Sequence, residues 1–306
     1  MSKTVVIYHR ADFDGLFCRE IARKFLPTAD LIGWDYGDPV PDPSVVSAED
    51  QLYMLDISID GLMGHPNLTW IDHHKSAIEK YPATIRGYRI DGVAACRLAW
   101  QWFNRNHHDS IGNLPPLPTK ERFVERTVYE PAAVQLAGEY DVWDKRNPDA
   151  DTFQFGLRSV TLEEHDWNHL LNNAVHPDSL DTWSLCRALL CNGRLLQRYQ
   201  QEQDKSVVER LAFLVEFEGL KFLALNSARC NSLTFAAIDV PATGHDALLG
   251  FRWDGNVWTV SLYHAQHRTD LDLSQIAVKY GGGGHRGACG FRIGNLTGPM
   301  TLPFNQ

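Results

Sequence analysis

The residues best suited to chemistry lie directly after short apolar runs that are typical of buried β-strands. Asp72, His73 and His74 follow the run 68–71, so that a carboxylate and two imidazoles stand together where the run ends. Two earlier apolar runs end in the same way. The side chains that follow the three runs are His9, Asp12, Asp14, Asp56, Asp72, His73 and His74. Because ligands of open α/β sheets bind at the carboxyl ends of the strands, we expect these side chains to meet at one edge.

This mixture of carboxylates and imidazoles suits divalent metal ions. Several carboxylates at one place repel one another when no cation is bound, and imidazole with carboxylate oxygen favours an ion such as manganese. Two divalent ions about 3.5–4 Å apart can activate a water molecule and neutralise charge on a phosphoryl group. The residues themselves therefore indicate a site for divalent cations, and such a site is compatible with hydrolysis of a phosphoester.

Taken one at a time, these residues also have ordinary structural interpretations. Asp12 and Asp14 could cap a helix and occupy its first turn, and His9 alone would be typical of a satisfied core histidine. Asp72-His73-His74 has no comparable structural interpretation, and it favours a functional role for the others.

The elements that must position these residues alternate between strand and helix patterns. Four apolar runs predict strands: 5–8, 31–34, 52–55 and 68–71. Helical spacing at 15–26 and 94–103 predicts helices between strands, the first ending before Pro27. We therefore predict an α/β domain with a mostly parallel sheet flanked by helices on both faces.

The sequence changes character after a long helical pattern at about 183–215. Four runs beyond it predict strands: 222–225, 233–236, 247–251 and 257–262. We predict a catalytic domain at 1–185, a helical linker at 186–215 and a smaller mixed α/β domain at 216–306.

Near its end the chain carries four consecutive glycines, 281–284, followed by His285 and Arg286. A tight turn would explain the glycines alone. The His-Arg that follows favours close approach of the backbone to an anion. The candidate substrate-binding residues are Gly282, Gly283, Gly284, His285 and Arg286.

Composition limits the alternatives. The 306 residues are 44% hydrophobic and 22% charged, as in an ordinary globular protein, and the formal net charge of −9 argues against a strong grip on long duplex nucleic acid. We find no apolar run of eighteen residues and no secretory signal pattern, so we expect no membrane association. The six cysteines form no C-x-x-C pair, which favours a reducing cytoplasm.

Taken together, the motifs resemble those of the DHH phosphoesterase superfamily. They are His9-x-x-Asp12-x-Asp14-Gly15, the strand-end Asp56, Asp72-His73-His74, a later isolated Asp and the C-terminal Gly-Gly-Gly-His. The glycine-rich end resembles the DHH-associated nucleotide-binding domain, and the resemblance extends from Val5 to Phe291. It implies two domains facing a cleft, with the metal pair on the first.

The resemblance also implies a ligand set for two manganese ions, for which magnesium or cobalt could substitute. The implied ligands are His9, Asp12, Asp14, Asp56, His73 and Asp141. One ion would be held by His9, Asp12 and Asp56, and the other by Asp14, Asp56, His73 and Asp141, with Asp56 bridging.

Further residues have roles implied by the same resemblance. Asp144 competes with Asp141 as the last ligand, since both follow the same helical pattern. Asp72 is expected to fix the orientation of a histidine ligand, and His74 to contact the substrate phosphate during catalysis. The family often carries an arginine near the end of the 257–262 strand, and here Tyr263 or His264 occupies that place, with Arg268 a few residues on.

The expected function is hydrolysis of short single-stranded oligonucleotides to mononucleotides. Hydrolysis of a cyclic nucleotide or cyclic dinucleotide and removal of a 3′-phosphate from a bisphosphate nucleotide are the alternative reactions. A catalytically silent nucleotide-binding protein on the same fold is the alternative of another class, although such a protein should have lost ligands. The sequence leaves the oligomeric state open, a homodimer included.

Overall fold

The fold was analysed in a computed structural model that describes six stretches of the chain: 2–42, 45–107, 116–144, 146–172, 185–236 and 244–294. The chain divides into two compact units, Met1–Leu196 and Gln197–Gln306. The division falls inside the long helix α8, Leu185–Leu211. None of the described helices is both long and apolar enough to cross a membrane.

The first unit is built on a five-stranded sheet in which every pairing is parallel. Its strands are β1 Thr4–His9, β2 Asp30–Trp34, β3 Gln51–Leu55, β4 Leu68–Asp72 and β5 Gly87–Arg89, in the spatial order β2-β1-β3-β4-β5. The predicted parallel α/β sheet is therefore confirmed. Because all strands run the same way, their carboxyl ends lie along one edge, and the polar motifs follow at that edge.

Two apolar cores cover the two faces of this sheet. Along β1, Val6 and Tyr8 belong to the larger core, and Val5 and Ile7 belong to the smaller one, as the period of two in a strand requires. The helices of this unit that precede α8 are α1 Phe13–Phe25, α2 Lys75–Lys80, α3 Ala95–His107, α4 Lys120–Val124, α5 Ala132–Asp141, α6 Pro148–Arg158 and α7 Glu164–Asn172. The larger core draws on α1, α3, α5, α6 and α7, whereas the smaller is closed by the segment 57–63 and α2.

The second unit contains a six-stranded mixed sheet, which confirms the predicted smaller α/β domain. Its elements are β6 Phe213–Phe217, β7 Leu220–Asn226, α9 Ser232–Ala236, β8 Ala247–Trp253, β9 Trp258–His264, α10 Ser274–Lys279, β10 Gly283–His285 and β11 Ala288–Ile293. The spatial order is β10-β11-β9-β8-β7-β6, and only β7 and β8 pair in parallel.

Two predicted elements of this part of the chain are wrong. The predicted strand at 233–236 is the helix α9, because the Asn231 side chain accepts hydrogen bonds from the backbone N–H groups of Leu233 and Thr234 at 2.9 and 3.2 Å. Such a cap starts a helix whatever the β-propensity of the residues that follow. The helical pattern expected to reach 215 ends at Leu211, and β6 begins at Phe213.

Candidate metal centre

The first part of the site is the junction between β1 and α1. His9 ends β1, and Asp12 caps α1 by accepting a hydrogen bond from the N–H of Gly15 at 3.0 Å. A Cβ on Gly15 would lie only 1.8 Å from the carbonyl oxygen of His9, so no larger residue fits there without moving the strand end. The structural interpretation of Asp12 as an N-cap is therefore correct, and it does not compete with a role in the site, since only one carboxylate oxygen is used.

Asp14 is buried in the first turn of α1 and is held by a second helix. Its two carboxylate oxygens accept hydrogen bonds from the N–H groups of Ala95 and Cys96, at 2.8 and 2.7 Å. These N–H groups stand at the start of α3, where a helix has unsatisfied donors and a favourable field for a negative charge. The helix fixes both oxygens of a carboxylate that has almost no access to water.

Asp56 follows β3 in the left-handed backbone conformation, with φ of 61°. Its N–H donates to the carbonyl of Ile71 at 2.9 Å, which ties this strand end to the next one. The side chain is only 1% exposed, and its Oδ1 atom has no hydrogen-bond partner. A left-handed non-glycine residue costs about 1–3 kcal/mol, and a buried carboxylate oxygen without a donor costs more, so Asp56 is held in place against its own preferences.

Asp72 organises the two histidines that follow it. Its Oδ1 accepts from the backbone N–H groups of His73 and His74, at 2.7 and 3.0 Å, and from Nδ1 of the His74 ring at 2.7 Å. Its Oδ2 accepts from the indole N–H of Trp70 at 3.0 Å. Asp72 thus orients the ring of His74, the expected phosphate contact, rather than the ring of the expected metal ligand His73.

The side chains from these strand ends converge. The Nε2 atom of His73 lies 3.2 Å from Asp141, 3.4 Å from Asp56 and 3.6 Å from Asp14. The Nδ1 atom of His9 lies 2.9 Å from Asp12 and 3.4 Å from Asp56. Among the described residues, three groups have donor atoms within 4.8 Å of one another: His9, Asp12 and Asp56; Asp14, His73 and Asp141; and Asp56, His73 and His74. Asp56 belongs to two of these three groups, and His73, 3.4 Å from Asp56, links it to the third.

These donors fit a bound cation. The Nδ1 atom of His9 and the Oδ1 atom of Asp56 are both buried without a hydrogen bond, although oxygen or nitrogen atoms surround them. Polar atoms that face one another at these distances without hydrogen bonds need a positive charge between them. The donor set of imidazole nitrogen and carboxylate oxygen suits a divalent transition metal.

The titration of the site reflects the same crowding of negative charge. Burial opposes protonation of His9, but Asp12 and Asp56 outweigh it and raise the pKa of His9 to about 11. Burial, together with the nearby Asp14 carboxylate, raises the pKa values of both Asp56 and Asp141 above their usual range. The crowded carboxylates therefore favour positive charge in the cluster, as expected of a cation site.

The structure separates the two candidates for the last ligand. Asp141 is the final residue of α5 and lies in the cluster. Asp144 instead accepts hydrogen bonds from the guanidinium of Arg146, which lowers the pKa of the Asp144 carboxyl. Asp141 is the residue that the fold brings to the cluster.

Sequence reasoning missed Asp35. Nε2 of His9 donates to Asp35 Oδ1 at 3.2 Å, which leaves Nδ1 of the same ring directed toward Asp12 and Asp56. Asp35 directly follows β2, the strand beside β1. The strand-end rule that selected the other residues therefore applies to Asp35 as well, and could have found it.

The glycine-rich candidates belong to the second unit and lie in the edge strand β10 or directly beside it. Gly283 has open space where a Cβ would stand, whereas a Cβ on Gly282 would lie 2.0 Å from the carbonyl oxygen of Gly290. Gly284 has φ of 130° and is equally crowded against β11. The hairpin thus requires two of the three glycines, and only Gly283 is free of a structural demand.

An open cavity of about 560 Å³ lies beside these glycines, with Thr259, Ser261 and Arg292 among its lining residues. His285 is exposed, and Arg286 donates to the carbonyl of Asp270 at 2.9 Å. The strand edge presents backbone and polar groups to this cavity.

The residues at the place of the family's arginine make contacts within the second unit. Tyr263 donates its hydroxyl hydrogen to the carbonyl of Cys230 at 3.3 Å, and His264 bonds the carbonyl of Leu271 at 2.8 Å. Arg268 pairs with two carboxylates, those of Asp246 and Asp270. All three side chains hold the unit together.

The chain is similar to several known proteins, and no protein-family model matches it. An uncharacterised protein of Acanthamoeba polyphaga mimivirus is 22% identical over 248 residues, which cover 77% of this chain. The chain spans about half the length of that curated relative, since the match covers 49% of it.

Two solved structures are similar to this chain. The DHH domain of a protein described as a member of a ribosomal-protein family matches with a TM-score of 0.51 at 11% identity, over 94% of this chain and 82% of that one. The pGpG-specific phosphodiesterase PggH of Vibrio cholerae matches with a TM-score of 0.49 at 15% identity, over 96% of this chain and 94% of that one. The fold of this chain is therefore similar to that of a DHH domain, as its motifs predicted.

Proposed function

We propose that this chain is a manganese-dependent phosphoesterase that hydrolyses short oligonucleotides to mononucleotides. The observation that carries the proposal is the convergence of two histidine–carboxylate groups on the buried Asp56. A shared carboxylate between two donor groups is the arrangement that a metal pair requires. No residue of the expected ligand set is missing, which argues against a silent binding protein.

The ligand assignment combines the three groups, with His73 linking Asp56 to Asp14 and Asp141. His9, Asp12 and Asp56 would hold one ion. The ligands of the other ion would be Asp14, Asp56, His73 and Asp141. With both present, the ions would supply an activated water nucleophile and neutralise charge on the phosphoryl group.

Other residues of the chain would contribute by fixing the orientation of the His74 ring. Asp72 occupies Nδ1 of His74, so this nitrogen is unavailable to a metal ion and Nε2 is the atom left to face the substrate. Trp70 fixes the other oxygen of Asp72, so the His74 ring is held by a buried chain of hydrogen bonds. A histidine restrained in this way can stabilise an equatorial phosphoryl oxygen without reorganising during the reaction.

The second unit is proposed to bind the nucleotide through β10. Gly283 offers an exposed backbone next to a cavity whose lining includes the polar side chains of Thr259, Ser261 and Arg292. Backbone N–H groups and an exposed histidine at one place suit an anionic ligand.

Chelation should lower the melting temperature, and manganese should restore it, because a cation that binds only the folded chain stabilises it by mass action. At a manganese concentration 100 times the dissociation constant, we expect a rise of about 5–10 °C in differential scanning fluorimetry. Asp141→Asn should reduce the rise, whereas the matched control Asp144→Asn should keep it. A melting temperature indifferent to manganese and chelator would contradict the metal centre.

A hydrolysis panel tests the reaction. With manganese, the chain should release mononucleotides from a short RNA or DNA and from a linear dinucleotide, and activity should stop in excess chelator. Faster turnover of a cyclic dinucleotide, or release of phosphate from a bisphosphate nucleotide, would instead support one of the alternative reactions. No hydrolysis of any of these substrates would leave the silent binding protein as the better interpretation.

The two histidines of the Asp-His-His motif should differ when each is replaced. His73→Ala should lose metal measured by elemental analysis after dialysis, because Nε2 of His73 faces three carboxylates. His74→Ala should keep its metal and lose at least about 100-fold in kcat, the typical effect of removing one such donor. Loss of metal from the His74 variant and retention by the His73 variant would reverse the assignment.

Substitutions of two neighbouring glycines, Gly282 and Gly283, would distinguish a role in nucleotide binding from a role in folding. Gly283→Ala should leave the melting temperature unchanged, since its Cβ meets nothing within 4 Å, and should weaken binding of a dinucleotide about tenfold by blocking backbone approach. Gly282→Ala is the control and should lower the melting temperature, because its Cβ would collide with Gly290. Unchanged dinucleotide binding in the Gly283 variant would show that these glycines serve only the hairpin.

A further inference from the structure

Trp143 occupies a backbone position that normally belongs to glycine. Helix α5 ends at Asp141, and two hydrogen bonds close its last turn: Trp143 N–H to the carbonyl of Tyr140 at 3.0 Å, and Asp144 N–H to that of Glu139 at 2.8 Å. This pattern places the residue after the C-cap in the left-handed region, and Trp143 has φ of 59°. For a bulky residue this conformation is an outlier, so a tryptophan here weakens the helix end that glycine would favour.

Burial of the Trp143 ring does not fully compensate for this unfavourable backbone conformation. The residue is 48% exposed, although a large aromatic side chain usually contributes to a fold by leaving water. A strained and half-exposed tryptophan therefore indicates a role other than stabilising the fold.

The ring belongs to an exposed strip of aromatic and cationic groups. Trp143 meets the edge of the Tyr140 ring, with centroids 5.9 Å apart, and the guanidinium of Arg158 lies 5.5 Å from the Tyr140 ring centroid. Arg158 also donates to the Tyr140 hydroxyl at 3.2 Å, which fixes the order of the three groups. Aromatic faces beside an arginine are the means by which proteins bind single-stranded nucleic acid without reading its sequence.

The strip begins next to the candidate metal centre. Trp143 is two residues beyond Asp141, so their Cα atoms are separated by at most about 7.6 Å. The carboxylate of Asp141 lies 3.2 Å from Nε2 of His73 in the cluster. The backbone that carries Trp143 therefore lies close to the place where a phosphate would be held.

We propose that the nucleobase next to the scissile phosphate stacks on Trp143, which makes this residue a determinant of specificity for nucleotides over other phosphodiesters. The proposal rests on the proposed phosphoesterase function and adds the group that recognises the base. Stacking tolerates every base, so the strip would favour nucleotides as a class and not one sequence.

The test compares binding of two dinucleotide analogues in which methylene groups replace both bridging oxygens, so that neither ester bond to phosphorus remains to be hydrolysed. One analogue carries both bases and the other carries none. Calorimetric titration with manganese present gives the base preference of the wild type and of Trp143→Gly, Trp143→Phe and Tyr129→Ala. Tyr129 is the matched control, because it is an exposed aromatic residue near the opposite end of α5.

The wild type should bind the base-carrying analogue about tenfold or more tightly than the abasic one. Trp143→Gly should reduce this preference about tenfold, Trp143→Phe should restore most of it, and Tyr129→Ala should retain it. The melting temperature of Trp143→Gly should be unchanged or higher by about 2–4 °C, because glycine suits the left-handed position. A merely structural tryptophan could not give lower affinity together with undiminished stability.

Three outcomes would overturn the proposal: a wild type without base preference, a preference that survives in Trp143→Gly, or a glycine variant that melts earlier and binds both analogues equally less well. Hydrolysis of an aryl phosphate diester by the wild type, measured in parallel, separates this result from the fate of the proposed function. Hydrolysis without base preference would contradict the stacking proposal and leave the phosphoesterase proposal standing. Base preference without hydrolysis of any substrate would reject the phosphoesterase and keep the stacking site.

Discussion

Repulsion between carboxylates in a nearly dry place is the constraint on which the rest of the first unit depends. Asp14 and Asp56 are almost completely buried and Asp141 is partly so, yet their acidic groups face the same small volume. Burial alone would drive such groups to bind protons, and proximity strengthens the effect. Fixed dipoles that stabilise the charged form of most of these carboxylates offset part of this cost.

The fixed dipoles come mostly from the backbone. The N–H of Gly15 donates to Asp12, and two N–H groups in the first turn of α3 donate to Asp14. Two consecutive N–H groups donate to Asp72. Backbone donors cannot swing away as side chains do, so the carboxylates keep their positions at little entropic cost. Asp56 is the exception, because its Oδ1 receives no donor, and it is the carboxylate shared by the two groups.

The strand-end positions of the candidate residues can be predicted from the sequence because parallel strands all end at one edge. The strand-end positions of His9, Asp56 and Asp72 follow from apolar runs alone, and no knowledge of side-chain packing is needed. Prediction failed where a single contact outweighs a pattern, as when Asn231 caps a helix in a β-rich segment. It also failed to give the partner of Asp72, because strand positions place a side chain at an edge without fixing its rotamer.

The left-handed backbone of Asp56 limits the ways in which this site can change over evolution. Asparagine and glycine tolerate that conformation readily, whereas a longer or branched side chain does not. Both replacements lie one nucleotide away from an aspartate codon, and either would remove the shared carboxylate while sparing the backbone. A single substitution can therefore remove this carboxylate from the cluster on an intact fold. Glutamate, the chemically nearest acid, fits this backbone less readily than either of them.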